Sequence, residues 1–346
     1  MKVRNLLIAG LLLQTASGFS QHHEGFYPFS NGKQYGYVDK TGKVVIQPAF
    51  DKADVFMEGL GHVKQGGLYG FVDKTGNLVI APQFEKVGFF PGSAPGFFEG
   101  LAAVKKGGKW GYIDKTGNLV VSPQYDDAYP FSEGLARVKQ GLKQGFIDKT
   151  GKVVISIQFS NASDFREGLA RVKTGDYKTG KWGFVDKTGK VAIDYKFDDC
   201  WDFSDNMANV RVGDEVTGKW GYIDKSGTFT IQPKFDKAFL FKDGMAIVRV
   251  GDFKTGKFGY IDKTGVMIIP PQFMGAFHFS EGLACVQMSK TDKWGFIDKS
   301  GKFIIPGQFE VPSDFMGGMA YVQIGDIKSG QKGYIDKTGK FIWVQK

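Results

Sequence analysis

The chain has 346 residues, 42% of them hydrophobic and 23% charged, with a formal net charge of +9 and two cysteines. The basic excess is spread evenly with no polybasic run, which argues against nucleic-acid binding. Cys200 and Cys285 stand at unrelated positions, so a disulfide framework is excluded and two buried free thiols are expected.

The N-terminus reads as an export signal. Lys2 and Arg4 form a short basic segment, Ile8 to Leu13 a brief apolar core, and Gln14 to Ser20 a polar, small-residue stretch. Gly18 and Ser20 occupy the −3 and −1 positions of a cleavage before Gln21. No other segment is apolar for the length of a membrane helix, so no membrane span is expected. Residues 1–20 are therefore read as a signal peptide. Residues 21–346 form one repeat domain, exported to the periplasm, the cell surface or the medium.

The repeat follows. Tyr35-Gly36-Tyr37-Val38-Asp39-Lys40-Thr41-Gly42 returns eight more times, and its first glycine recurs as Gly70, Gly111, Gly145, Gly183, Gly221, Gly259, Gly295 and Gly333. The steps are 34, 41, 34, 38, 38, 38, 36 and 38 residues, within the range of repeat architectures. Eight residues beyond each of the first eight turn glycines stands an aromatic, as in Phe50, Phe84 and Tyr125. A Phe also precedes each later Glu-Gly glycine by three, as in Phe56, Phe97 and Phe131.

Each unit predicts three strands. An opening strand follows Glu-Gly, a central strand carries the aromatic-Gly pair, and an exit strand follows the Asp-Lys-Thr-Gly turn. Aromatic and β-branched runs flanking a polar tetrapeptide that ends in Gly predict a tight hairpin. The exit strand leads to the next unit through a longer link, often opening with Pro (Pro48, Pro82, Pro123, Pro233). The chain is thus expected to be all-β, a tandem array of nine three-stranded antiparallel meanders over about residues 24–344. A lone meander cannot bury its apolar face, so the units must stack through their Phe and Tyr columns. An open solenoid or superhelix is favoured because propeller blades usually have four strands; a closed propeller-like ring is the alternative. The Glu-Gly column holds Asn206 where other units have Gly, the substitution a left-handed backbone permits.

These segments resemble the WG-containing, or KWG, repeat family. The matching residues are Lys109-Trp110-Gly111-Tyr112-Ile113-Asp114-Lys115-Thr116-Gly117, Lys181-Trp182-Gly183, Lys219-Trp220-Gly221 and Lys293-Trp294-Gly295. Pro233-Lys234-Phe235-Asp236 and Glu133 to Ala136 match as well. Gln144, Phe258 and Lys332 stand where the family's tryptophan is expected. The resemblance implies a bacterial, often exported repeat protein and supports the fold more than any activity.

No catalytic chemistry emerges. The acidic column before the second glycine (Glu24, Glu58, Glu99, Glu133, Glu167, Asp205, Asp243, Glu281) is too regular for acid–base work and is read as structural hydrogen bonding. The four histidines have no metal-ligand spacing, and the glycine pairs lack a following helix, so no metal, cofactor or phosphate loop is expected. The repeat tryptophans are read as core, with a sugar platform as the alternative.

The sequence therefore points to a non-enzymatic binding or scaffold protein engaging a protein partner. A glycan- or cell-wall-binding module is the alternative. Two variable regions are candidate surfaces. One is the position three residues beyond the Glu-Gly glycine, including His62, Arg137, Arg171 and Tyr321. The other is the tip between opening and central strands, which carries Tyr177 and Phe253. The glycine-to-glycine distance across that tip is 11 residues in the first four units and 13 or 15 in the rest. Even differences leave the face of every side chain unchanged.

Overall fold

The structure, a computed structural model, describes residues 24–39, 43–90, 94–176, 178–326 and 329–344. The predicted signal peptide, His22, His23 and Tyr177 lie outside them. The described residues form nine small antiparallel sheets and no helix. The first four sheets group into one compact unit and the sixth to ninth into a second, the boundary running through the fifth.

The first sheet has the expected three strands, β1 (Phe26–Ser30), β2 (Tyr35–Asp39) and β3 (Val44–Phe50). The second adds one: β4 (Lys52–Met57), β5 (Leu60–Gln65), β6 (Leu68–Val72) and β7 (Leu78–Phe84), paired in that order. All eight later sheets have this lead strand. The expected three-stranded unit is therefore extended to four. The segment read as a link is a strand, and Glu-Gly is its hairpin loop. Met57 pairs with Leu60 across Glu58 and Gly59, whose φ values are 49° and 91°. Two successive positive φ values define the two-residue type I′ turn that fits the twist of flanking strands. Asp205 (54°) and Asn206 (64°) make the same turn without glycine. Four strands per unit is the count of a propeller blade, so the premise that favoured an open array fails.

The glycine of the central strand has a different cause. Between Tyr35 and Tyr37 the partner strand advances from Phe50 to Ile46, so β3 bulges around Pro48. A Cβ on Gly36 would lie 2.4 Å from the Ile46 carbonyl oxygen, and one on Gly111 would lie 2.3 Å from that of Val121. Only a bare backbone allows this approach. Proline is tolerated because the exit strand is an edge with no ladder partner on its far side.

Stacking between sheets rests on an aromatic ladder. Tyr37 of the first sheet meets Phe56 of the second at 4.9 Å between ring centres, steeply tilted. Phe71–Phe97, Tyr112–Phe131, Phe146–Phe165, Tyr222–Phe241, Tyr260–Phe279 and Phe296–Phe315 repeat the contact at 4.8–5.0 Å. These rings are buried, and edge-to-face pairs add to their area burial. The ladder tyrosine hydroxyls donate to backbone carbonyls of the next sheet or the segment just beyond its lead strand: Tyr112 to that of Tyr129 at 2.8 Å, Tyr222 to that of Phe239 at 2.8 Å and Tyr260 to that of Phe277 at 2.8 Å.

A carboxylate clasp closes the same junctions. Glu24 accepts the Gly59 N–H at 2.8 Å and pairs with Lys74 at 2.8 Å, both from the next sheet. Glu58 takes Gly100 N–H and Lys115, Glu99 takes Gly134 N–H and Lys149, and Glu133 takes Gly168 N–H and Lys187. Burial opposes ionisation of Glu24, but Lys74 and the Gly59 N–H outweigh it and hold its carboxyl below the usual range. The structural reading of the acidic column thus holds, and the column joins neighbouring sheets.

The left-handed requirement is testable at Gly134. Its φ is 88°, and a Cβ there would meet nothing within 4 Å, so any penalty is backbone strain alone. Gly134→Val is expected to destabilise by more than about 1 kcal/mol in urea unfolding, while Asn206→Gly stays near neutral. Equal midpoints for Gly134→Val and wild type would contradict the turn assignment.

Candidate binding surface

The structure places the two candidate regions very differently. The column three residues beyond Glu-Gly lies on the opening strand and is largely buried between sheets. His62 is 3% exposed, and Ala103, Asn209, Ile247 and Cys285 are buried; Arg137, Arg171 and Tyr321 are partly so. A solvent-facing column is therefore not what these residues form. Their chemistry varies because each meets its own partner. His62 Nδ1 lies 3.0 Å from Asp54 Oδ2, and the imidazole stacks on Tyr69 at 4.7 Å. Arg137 Nε donates to Asp164 at 3.1 Å, its Nη1 donates to Gln144 at 3.0 Å, and its guanidinium sits 3.4 Å from the Tyr129 ring centre. Burial disfavours the Arg137 charge, but Asp164 and Tyr129 more than restore it. Asn209 Nδ2 donates to the Ala238 carbonyl at 2.9 Å, and Tyr321 meets Tyr334 edge-on at 5.4 Å.

Trp110, Trp182 and Trp220 are buried, as the core reading expected. Trp294 is partly buried and meets Phe277 edge-on at 5.0 Å. Cys200 and Cys285 are free and buried, and burial pushes the Cys285 thiol well above its usual range. Among the described residues no group of His, Cys, Asp or Glu is arranged to hold a metal ion. No described helix is long and apolar enough to cross a membrane.

The longer hairpin tips are exposed. Phe253 is 83% exposed and Val216 90%. Each sits in a loop organised by one aspartate. Asp252 Oδ1 accepts the backbone N–H of Lys254 at 2.6 Å and of Thr255 at 3.0 Å, and the Thr255 hydroxyl donates to Oδ2. Asp214 and Asp176 build the same turn with Thr217 and Thr179. The threonine hydroxyl and these N–H donors lower the Asp252 pKa to about 2. The tip thus has fixed backbone geometry, and Phe253 projects from it with the Arg249 guanidinium 5.6 Å from its ring centre.

The WG containing repeat family matches at residues 35–69, 69–110, 110–143, 145–177, 182–215, 220–252, 258–291 and 294–326. The chain belongs to that family. No curated protein sequence matches it. Among solved structures, a prolyl endopeptidase is 11% identical with a TM-score of 0.43, over 73% of this chain and 49% of that one. Dipeptidyl peptidase 4 of Porphyromonas gingivalis is 10% identical with a TM-score of 0.46, over 93% and 58%. The uncharacterized protein lmo1340 of Listeria monocytogenes EGD-e is 14% identical with a TM-score of 0.38, over 70% and 89%. This WG repeat chain spans about half the length of the two peptidases, and likenesses this distant carry no functional argument.

In WG repeat terms, the tryptophan and its glycine serve the sheet. The ring fills the space between sheets, and the glycine admits the bulged exit strand. What distinguishes one unit from the next is carried by the tips and by the variable column of the opening strand.

Proposed function

We propose that this WG repeat protein is a non-enzymatic, exported scaffold that engages a protein partner through the hairpin tips between its opening and central strands. The observation that carries this reading is Phe253, a large apolar side chain held out on a tip whose backbone is fixed by Asp252. Exposed aromatics on ordered loops lose little entropy on binding and dominate protein interfaces. Val216 occupies the matching tip of the preceding sheet. The glycan alternative needs open aromatic faces, and burial of Trp110, Trp182 and Trp220 counts against it. The family and the strictly repeated carboxylates support a non-enzymatic role.

A photo-crosslinking phenylalanine analogue at position 253 is expected to capture one discrete protein in the native host. For that purified partner, Phe253→Ala combined with Tyr177→Ala should weaken affinity by about tenfold or more without moving the melting temperature. Unchanged affinity would move the interface elsewhere. Export is tested separately by intact mass of the protein recovered from its native host. The expected species begins at Gln21, and a full-length chain starting at Met1 would remove the extracytoplasmic assignment.

A further inference from the structure

Where the sixth and seventh sheets meet, three cationic side chains converge on aromatic rings. Arg211 lies on the opening strand of the sixth sheet (Ala208–Val212). Lys237 begins the lead strand of the seventh (Lys237–Lys242), and Arg249 lies on its opening strand (Met245–Val250). Lys237 and Arg249 stand directly opposite each other across the ladder. Like charges in that position are destabilising. The corresponding pair in the sixth sheet is Asp199 and Arg211, and in the fourth Asp127 and Lys139, both complementary. Like-charge pairs also stand there in the second sheet (Lys52 and Lys64) and the third (Lys86 and Lys105); in the seventh a third base, Arg211 of the preceding sheet, lies against the Trp220 ring that Lys237 also contacts.

The surroundings repair the imbalance only in part: Asp199 and Glu215 favour the Lys237 charge, and Asp236 and Asp252 favour that of Arg249. Lys237 Nζ lies 4.5 Å from the Trp220 ring centre, 5.8 Å from Trp201 and 6.0 Å from Phe239. The Arg211 guanidinium is 6.0 Å from the same Trp220 ring. Cation–π contact offsets part of the desolvation of such groups. The Nε atoms of Arg211 and Arg249 are nonetheless buried and donate to no acceptor among the described residues. The nearby carboxylates favour these cations electrostatically but spend their hydrogen bonds elsewhere. Asp236 holds Lys219 and the Gly251 N–H, Asp198 holds Lys181 and the Gly213 N–H, and Asp252 is committed to its own turn. Asp199 accepts the Cys200 N–H at 2.9 Å. Burial lowers the Lys237 pKa, Asp199 and Glu215 oppose that, and Arg211 and Arg249 lower it further. Arg211, Lys237, Arg249, Trp201 and Phe239 all remain partly exposed, so the junction is open to solutes.

We propose that this junction is an oxyanion-binding site, taking a phosphate or carboxylate group on Lys237, Arg211 and Arg249 against the wall formed by Trp220 and Trp201. Guanidinium groups present paired N–H donors suited to such oxygens, and an ammonium adds a movable point charge. Bound anion supplies the negative charge that the lead strand lacks. The site adjoins the Phe253 tip through Arg249, whose guanidinium lies 5.6 Å from that ring, so an acidic group on a partner is one source of the anion; anion binding is nonetheless read without any partner present.

The test uses the mature chain in chloride buffer at fixed ionic strength, titrated with inorganic phosphate and separately with glutamate, and followed by tryptophan fluorescence and calorimetry. Saturable one-to-one binding of either, with Kd of roughly 10 mM or tighter, supports the site; which one binds identifies the source. Lys237→Met and Arg249→Gln should each weaken it at least about tenfold. Anion should raise the melting temperature of wild type and do so far less for Lys237→Met, which itself should melt no lower than wild type in chloride because it removes a half-buried cation set opposite Arg249. Should Lys237→Met fail to fold, Arg249→Gln alone carries the comparison. No saturation with either anion, or equal binding by wild type and the folded variants, would overturn the proposal.

Discussion

The edge-to-face contact between the central-strand ring of one sheet and the lead-strand Phe of the next is what the rest of the structure depends on. Each later sheet is apolar on both faces. In the second sheet, Ala53, Phe56, Val63 and Val72 join Tyr37 and Ile46 of the first sheet, while Leu60, Phe71, Ile80 and Phe84 join Phe97 and Val104 of the third. A small sheet with two apolar faces has no stable existence in water, so sequence period and stacking are one constraint. The turn glycines obey it too. A Cβ on Gly117 would come within 3.2 Å of Ile80 in the preceding sheet, so the tetrapeptide turn is pressed against its neighbour.

The same constraint explains an unfavourable local choice. Type I′ turns favour Asn-Gly, yet seven described turns place Glu or Asp at positive φ. A non-glycine residue there carries backbone strain. The carboxylate recovers it by reaching an N–H of the neighbouring turn and the lysine of the Asp-Lys turn. Where the acid is shorter the geometry loosens. Asp205 still takes the Gly244 N–H at 2.9 Å, but Lys263 is 4.0 Å away. At Asp243 the lysine turns to the backbone, Lys299 donating to the Asp243 carbonyl at 2.7 Å.

Much of this was legible in the sequence. The nine units, the left-handed Glu-Gly position, the structural acidic column and the buried tryptophans all follow from spacing and residue type. The lead strand does not, because it gives no alternating signal. In the third, fifth, sixth, eighth and ninth sheets it is two residues long, and elsewhere a register shift interrupts it, as between Ala53 and Phe56. The paired positive φ of a two-residue loop was the available clue, since such a loop implies a strand on either side. The column through His62, Arg137 and Tyr321 misleads for another reason. Its variation is matched by partners in other strands, so Arg137 faces Gln144 where other units hold tryptophan. A single column cannot reveal that compensation. The excess charge between the sixth and seventh sheets is equally invisible, because it depends on which bases the ladder sets opposite each other.

The central claim is that adjacent sheets are coupled through specific ring pairs rather than through general apolar burial. A double-mutant cycle on Tyr222→Leu and Phe241→Leu, measured by urea unfolding, tests it most directly. These rings lie 4.8 Å apart across the junction of the sixth and seventh sheets. The account predicts a coupling of about 0.5–1.5 kcal/mol. Effects that add within about 0.3 kcal/mol would contradict it.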